Sequence, residues 1–203
     1  SGVLHIASND KLADFSGLSQ LQSVGGGMYI HDNQSLTNLD ALSSLKSVGD
    51  YLELKHNPLL LSLEGLSQLN NIGGHIEIRS NPILKNLNGL DGLSTLNGQL
   101  SIYSNDALSN IDGLSGITSA SDSINIAYCP SLTNIEGLSA LTAVAGNLAI
   151  KYNFDLNSLT GLSNLTVIGG ALSLGFNAAL EELNGLENLT EVGGLYLHTN
   201  VKL

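Results

Sequence analysis

The sequence predicts a mainly β fold, a right-handed parallel β-solenoid of about eight 24-residue repeats running through one domain, 1–203. Three observations predict it. Asn recurs at Asn9, Asn33, Asn57, Asn81, Asn105, Asn153, Asn177 and Asn200, in steps of 24 except for a gap filled by Cys129 and a last step of 23. Aliphatic residues recur at fixed offsets from that residue. A short stretch of period two precedes it. Self-similarity at a fixed period marks one supersecondary unit stacked many times.

With the ladder residue as position one, each element follows in order. Position four is Leu throughout, from Leu12 to Leu180, and position seven is Phe15, Leu39, Leu63, Leu87, Ile111, Ile135, Leu159 and Leu183. Gly holds position nine in seven repeats of eight, with Ala41 the exception. The Gly-Leu-Ser-x-Leu stretch is too short for a full helix and predicts a helical turn or bend. Position sixteen is mostly Val or Ile, followed by a Gly pair such as Gly73-Gly74, which suggests positive φ or a close backbone approach. The alternation in Ile76-Glu77-Ile78-Arg79 makes a short strand with positions twenty and twenty-two inward. The Asn that follows, or Cys129, can bond backbone groups exposed where the chain turns. One repeat cannot bury its apolar side alone; stacked repeats bring equivalent residues into columns about 4.8 Å apart. Nine such strands are expected, in a sheet roughly 40 Å long.

The bulk composition agrees. Hydrophobic residues make up 42% and charged residues 12%, too apolar for a disordered chain. The net charge of −11 argues against a nucleic-acid surface and against docking on anionic lipid. No apolar run approaches the roughly 18–20 residues of a membrane span, so direct membrane insertion is not expected. The single cysteine, Cys129, excludes an internal disulfide and a Cys-based metal site.

The run Leu52-x-Leu54-x-x-Asn57-x-x-Leu60-x-x-Leu63-x-Gly65-Leu66-x-x-Leu69-x-x-Ile72-Gly73-Gly74 resembles the repeat of receptor L-domains and their relatives in fungal cell-wall and bacterial surface proteins. It is more distantly similar to leucine-rich repeats. It departs from them in the aliphatic that comes three residues after the Asn rather than two, and in the Gly that stands three before the strand. These departures favour a flatter β-helix over a horseshoe with outer helices. The resemblance implies an extracellular or cell-surface setting, a recognition role and no catalytic residues.

All six Tyr and all five His fall in positions nineteen to twenty-four, on the strand and its flanks. The candidate ligand-binding residues are therefore Tyr29, His31, Glu53, Lys55, Glu77, Arg79, Tyr103, Tyr128, Lys151, Tyr152, Phe176 and Tyr196. Tyr offers a large rigid contact with a polar tip; the competing explanation is its ordinary preference for strands. Glu53 with Lys55 and Glu77 with Arg79 predict a charge lattice across two strands. The acidic column Asp40, Glu64, Asp112 and Glu136 reads as a solvated ridge rather than a calcium site. His31 and His56 read as a surface pair, with no metal and no other cofactor expected. No phosphate loop and no nucleophile elbow is present, so no enzyme is expected.

The leading expectation is a binding module that recognises a protein or glycan at a cell surface. The alternatives are a structural wall or adhesin stalk without a defined ligand and, less favoured, an ice-binding protein using the Ser and Thr columns. The chain starts inside a repeat, at Ser1-Gly2-Val3-Leu4, and stops at Val201-Lys202-Leu203. The expectation is a segment of a longer protein, or end-to-end or edge-mediated self-association.

Overall fold

The computed structural model describes residues 2–203 and is a parallel β-solenoid of about eight stacked turns. One continuous face carries the strands Leu4–Ala7, Met28–His31, Leu52–Lys55, Ile76–Arg79, Leu100–Tyr103, Ile124–Ala127, Leu148–Lys151, Val167–Gly175 and Glu191–His198. Each pairs in parallel with its equivalent in the next turn, as in Leu52 with Ile76 and Lys55 with Arg79. Side chains at positions twenty and twenty-two, such as Leu52, Leu54, Ile76 and Ile78, are buried. A one-residue slip would turn all of them into water, which fixes the register. The short last step is absorbed by a register shift: Ile168 pairs with Val192, but Ala171 pairs with Gly194.

A second strip of pairing was not legible in the sequence. Two-residue strands Ser23–Val24, Ser47–Val48 and Asn71–Ile72 form a small sheet of their own. Thr95–Leu96, Ser119–Ala120 and Ala143–Val144 join the main sheet through the long strand Val167–Gly175. The Gly-Leu-Ser segment folds as a single 3-10 turn, as at Asp40–Leu42, Glu64–Leu66, Asp112–Leu114 and Glu136–Leu138. The acidic column therefore starts these turns and is exposed to solvent.

Glycine acts here by permitting close approach. A Cβ on Gly65 would collide with the Leu39 carbonyl of the preceding turn, and one on Gly137 with that of Ile111. The Gly73-Gly74 pair likewise lies against Gly49 and Asp50. The sequence also left open a positive φ at this pair, but that conformation belongs to position twenty-four. There Ser8, Asp32, His56, Ser80, Ser104, Tyr128, Tyr152, Phe176 and Thr199 all have φ between 51° and 57°. Every strand on the main face is thus followed by a left-handed residue, none of them glycine, so the sequence carries no marker for it.

The ladder residue sits just inside this corner. Asn33, Asn57, Asn81, Asn105, Asn153 and Asn177 are fully buried. Asn81 Nδ2 donates to the Leu54 carbonyl (3.0 Å), and its Oδ1 accepts from the Asn57 backbone N–H (3.1 Å). The same two bonds recur along the solenoid and tie each turn to the one before. At the two ends this burial lapses: Asn9 is exposed and Asn200 half-buried. Cys129 keeps its backbone bond to Asn153 Oδ1, while its thiol lies 3.5 Å from the Ala127 carbonyl. Burial pushes that thiol up to about 11, against opposing hydrogen bonds from Asn105.

Candidate recognition surface

The strand face divides into three zones. At its start, His5, Tyr29, Tyr51 and His75 form an edge-on and stacked series, with ring centroids 5.8 Å, 6.0 Å and 4.3 Å apart in turn. Beside them, His31 Nδ1 lies 2.8 Å from Asp32 Oδ2, and His56 Nδ1 lies 3.3 Å from Asp32 Oδ1. The expected His31–His56 pair therefore meets through a carboxylate. The His31 hydrogen bond is the largest cause holding the Asp32 carboxyl below its ordinary range.

The central zone is the predicted charge lattice, and it is more connected than the sequence implied. Lys55 Nζ lies 2.6 Å from Glu53 and 2.7 Å from Glu77. Glu53 also meets His75 at 3.0 Å. Glu77 accepts from the Tyr103 hydroxyl at 3.0 Å, and Arg79 spreads over the Tyr103 ring. Arg79 Nε is 3.2 Å from Glu77 but makes no well-directed hydrogen bond. Partial burial would raise Glu53; hydrogen bonds from Lys55 and His75 outweigh it and hold the carboxyl below its usual range. Burial and the Glu77 bond push Tyr103 up.

The third zone is aromatic. Tyr128, Tyr152 and Phe176 stack with centroids 4.4 Å apart at each step and planes within 7°. His198 closes the series edge-on at 5.4 Å. The sequence places these three rings beside outward strand positions; in fact they stand at the left-handed corner, at the strand's end. Stacking hides the ring faces from one another, so the row presents ring edges and hydroxyls. Lys151 is half-buried in this zone, and Tyr196 is exposed on the last strand.

Where the corner carries Ser80 and Ser104 instead of rings, it leaves a trough of about 390 Å³ between His56 and the aromatic row. Gln34, Pro58, Pro82 and Asp106 supply its other walls. Nothing in the sequence marks it, because a trough made by small residues appears only once the large ones flanking it are placed in the same column.

Elsewhere the Thr column turns its hydroxyls inward to the backbone. Thr142, Thr166 and Thr190 each donate at 3.0 Å to the carbonyl of the residue one turn earlier. No family model and no curated protein sequence matches the chain.

Proposed function

We propose that the chain is a non-catalytic binding module of an extracellular or cell-surface protein, recognising a protein or glycan through the strand face and its corner. The observation that carries this reading is the confinement of every Tyr and His to six positions of the 24-residue unit. The resemblance of the repeat to receptor L-domains supports the same reading. So does the mutual bonding of the face: side chains already held by one another lose less freedom when a partner arrives. Eight strand spacings give a face about 38 Å long, suited to an extended partner.

A structural stalk is the second reading, favoured by the regularity of the turns. Ice binding is weakened, because the Thr column spends its hydroxyl protons on backbone carbonyls. Binding to an array of glycans and to candidate surface proteins separates the first two. The expected result is a ligand whose affinity falls in Tyr103→Ala, Tyr128→Ala and Tyr152→Ala while the fold is kept. Affinity that survives all three but drops on replacing Ser115 and Ser139 would move the site to another face.

A further inference from the structure

We infer that His5 and His31 form a chelating site for a borderline transition-metal cation of the Zn²⁺, Ni²⁺ or Cu²⁺ type, with Asp32 as its positioning residue. The inference does not depend on the recognition reading. Strands Leu4–Ala7 and Met28–His31 pair so that His5 faces Tyr29 and Ala7 faces His31. This makes the two histidines diagonal neighbours on the outer side of the sheet, a spacing that long side chains bridge. Their Nε2 atoms point at each other, 2.9 Å apart.

Asp32 decides which lone pair is offered. A carboxylate only accepts, so His31 Nδ1, 2.8 Å from Asp32 Oδ2, carries the proton. The neutral ring then presents the bare Nε2 toward His5, whose Nε2–H donates to it in the metal-free chain. A metal takes the place of that proton, His5 shifting to its Nδ1–H tautomer so that both Nε2 lone pairs face the cation. A carboxylate behind the ligating imidazole is the usual outer-shell arrangement and strengthens the donor. His56 holds the second oxygen of Asp32. Among the described residues, no Lys or Arg forms an ion pair with Asp32.

The bite is close to what coordination requires. Two imidazole nitrogens on a tetrahedral Zn²⁺ at about 2.0–2.1 Å lie about 3.3 Å apart. Opening the pair by a few tenths of an ångström is within reach, because His5 is exposed and free to shift. Two nitrogen donors, with water completing the shell, select Zn²⁺, Ni²⁺ or Cu²⁺ over Ca²⁺ or Mg²⁺. The pair is less legible in the sequence than His31 and His56, which hold adjacent positions of the repeat; His5 pairs in register with Tyr29 and reaches His31 only diagonally across the sheet.

A rival cluster shows why donor count alone is insufficient. Glu53, His75 and Glu77 bring three donor atoms within 4.8 Å of one another. Lys55 already fills that space with its ammonium, bonded to both carboxylates. A metal there would have to displace a cation the protein supplies itself.

Calorimetric titration of the full chain with Zn²⁺ and Ni²⁺ at neutral pH, beside Ca²⁺, tests the inference. Saturable 1:1 binding of the first two, and none of Ca²⁺, is expected. His5→Gln and His31→Gln should each abolish it; His75→Gln should leave it unchanged. Asp32→Asn should weaken it about 10–100-fold, and Asn suits the left-handed backbone at this position, so the fold is kept. Electron spin resonance of the Cu²⁺ form should show coupling to two imidazole nitrogens, a readout that a merely structural role would not produce. No saturable binding, binding retained in either histidine variant, or loss in His75→Gln would overturn the proposal. An unchanged affinity in Asp32→Asn would overturn the role given to that residue.

Discussion

A buried amide group left without partners costs about 1–3 kcal/mol, and the interior ladder asparagines avoid that by bonding to the preceding turn. Asn81→Leu would strand the Leu54 carbonyl and the Asn57 N–H together. We expect it to lower stability by at least about 2 kcal/mol, while exposed Asn88→Leu stays within about 0.5 kcal/mol; urea melts compare the two, and equal midpoints would refute the ladder. Cys129→Asn tests the converse. An Asn there would offer Oδ1 to the Asn105 N–H and Nδ2 to the Ile102 carbonyl, the pair of bonds its neighbours make. A gain of about 1–2 kcal/mol is expected from two added bonds, and a loss would mean that the cavity fits only the thiol. The ladder was legible because it repeats. The departures were harder to interpret: Asp91 and Glu187 look like breaks in the Ser column, yet their carboxylates bind the N–H of Gly89 and Gly185 at 2.7 Å and 2.8 Å. Those glycines have φ of +106° and +109°, so in these two turns an Asn-Gly bend replaces the 3-10 turn.

At the scale of the elements, strand order, inward positions and the lattice of Glu53, Lys55, Glu77 and Arg79 all followed from period two and a fixed repeat length. The remainder of the lattice did not, because its contacts run diagonally. His75 reaches back to Glu53, and Tyr103 reaches back to Glu77. The left-handed corners were hidden for another reason: residues as different as Ser, His, Tyr and Phe occupy them, so composition marks nothing. The lattice has a pH consequence. The Glu53 carboxyl is held below its ordinary range in the folded chain. Its contribution is present above the unfolded value of about 4.3 and is lost as pH falls through the lower folded value. The melting temperature should therefore drop in that acid window, and Glu53→Gln should flatten the drop while lowering stability at neutral pH. Lys55 is shifted the opposite way: burial would lower it, but Glu53 and Glu77 raise it above its usual range. Its contribution holds below the unfolded value of about 10.4 and disappears as pH rises through the folded one. A melting curve equally acid-sensitive in Glu53→Gln would show that the lattice carries no linkage.

At the scale of the whole molecule, a solenoid is close to one-dimensional: an interior turn is covered by its two neighbours, and within these 203 residues the turn of Glu191–His198 is covered on one side. The consequence is visible in the leucine columns. Leu172 and Leu174 are fully buried, whereas Leu195 and Leu197, one turn further on, are 53% and 41% exposed. They belong to the strand Glu191–His198, whose pairing within the chain is to Val167–Gly175. An apolar column ending beside an open parallel edge is a template for another strand. We therefore expect the 203-residue chain to associate through this edge as concentration rises. Its net charge of −11 opposes approach of two copies; added salt screens that repulsion, so association should strengthen with ionic strength, the opposite of an ion-pair interface. Sedimentation velocity over a range of concentration and salt reads both trends. Leu197→Lys places a charge in the exposed column while its aliphatic stem still lies over Leu174, and it should return the chain to monomer with its circular dichroism unchanged. A parent chain monomeric at every concentration, or a variant that associates as well as the parent, would show that the edge is not the contact.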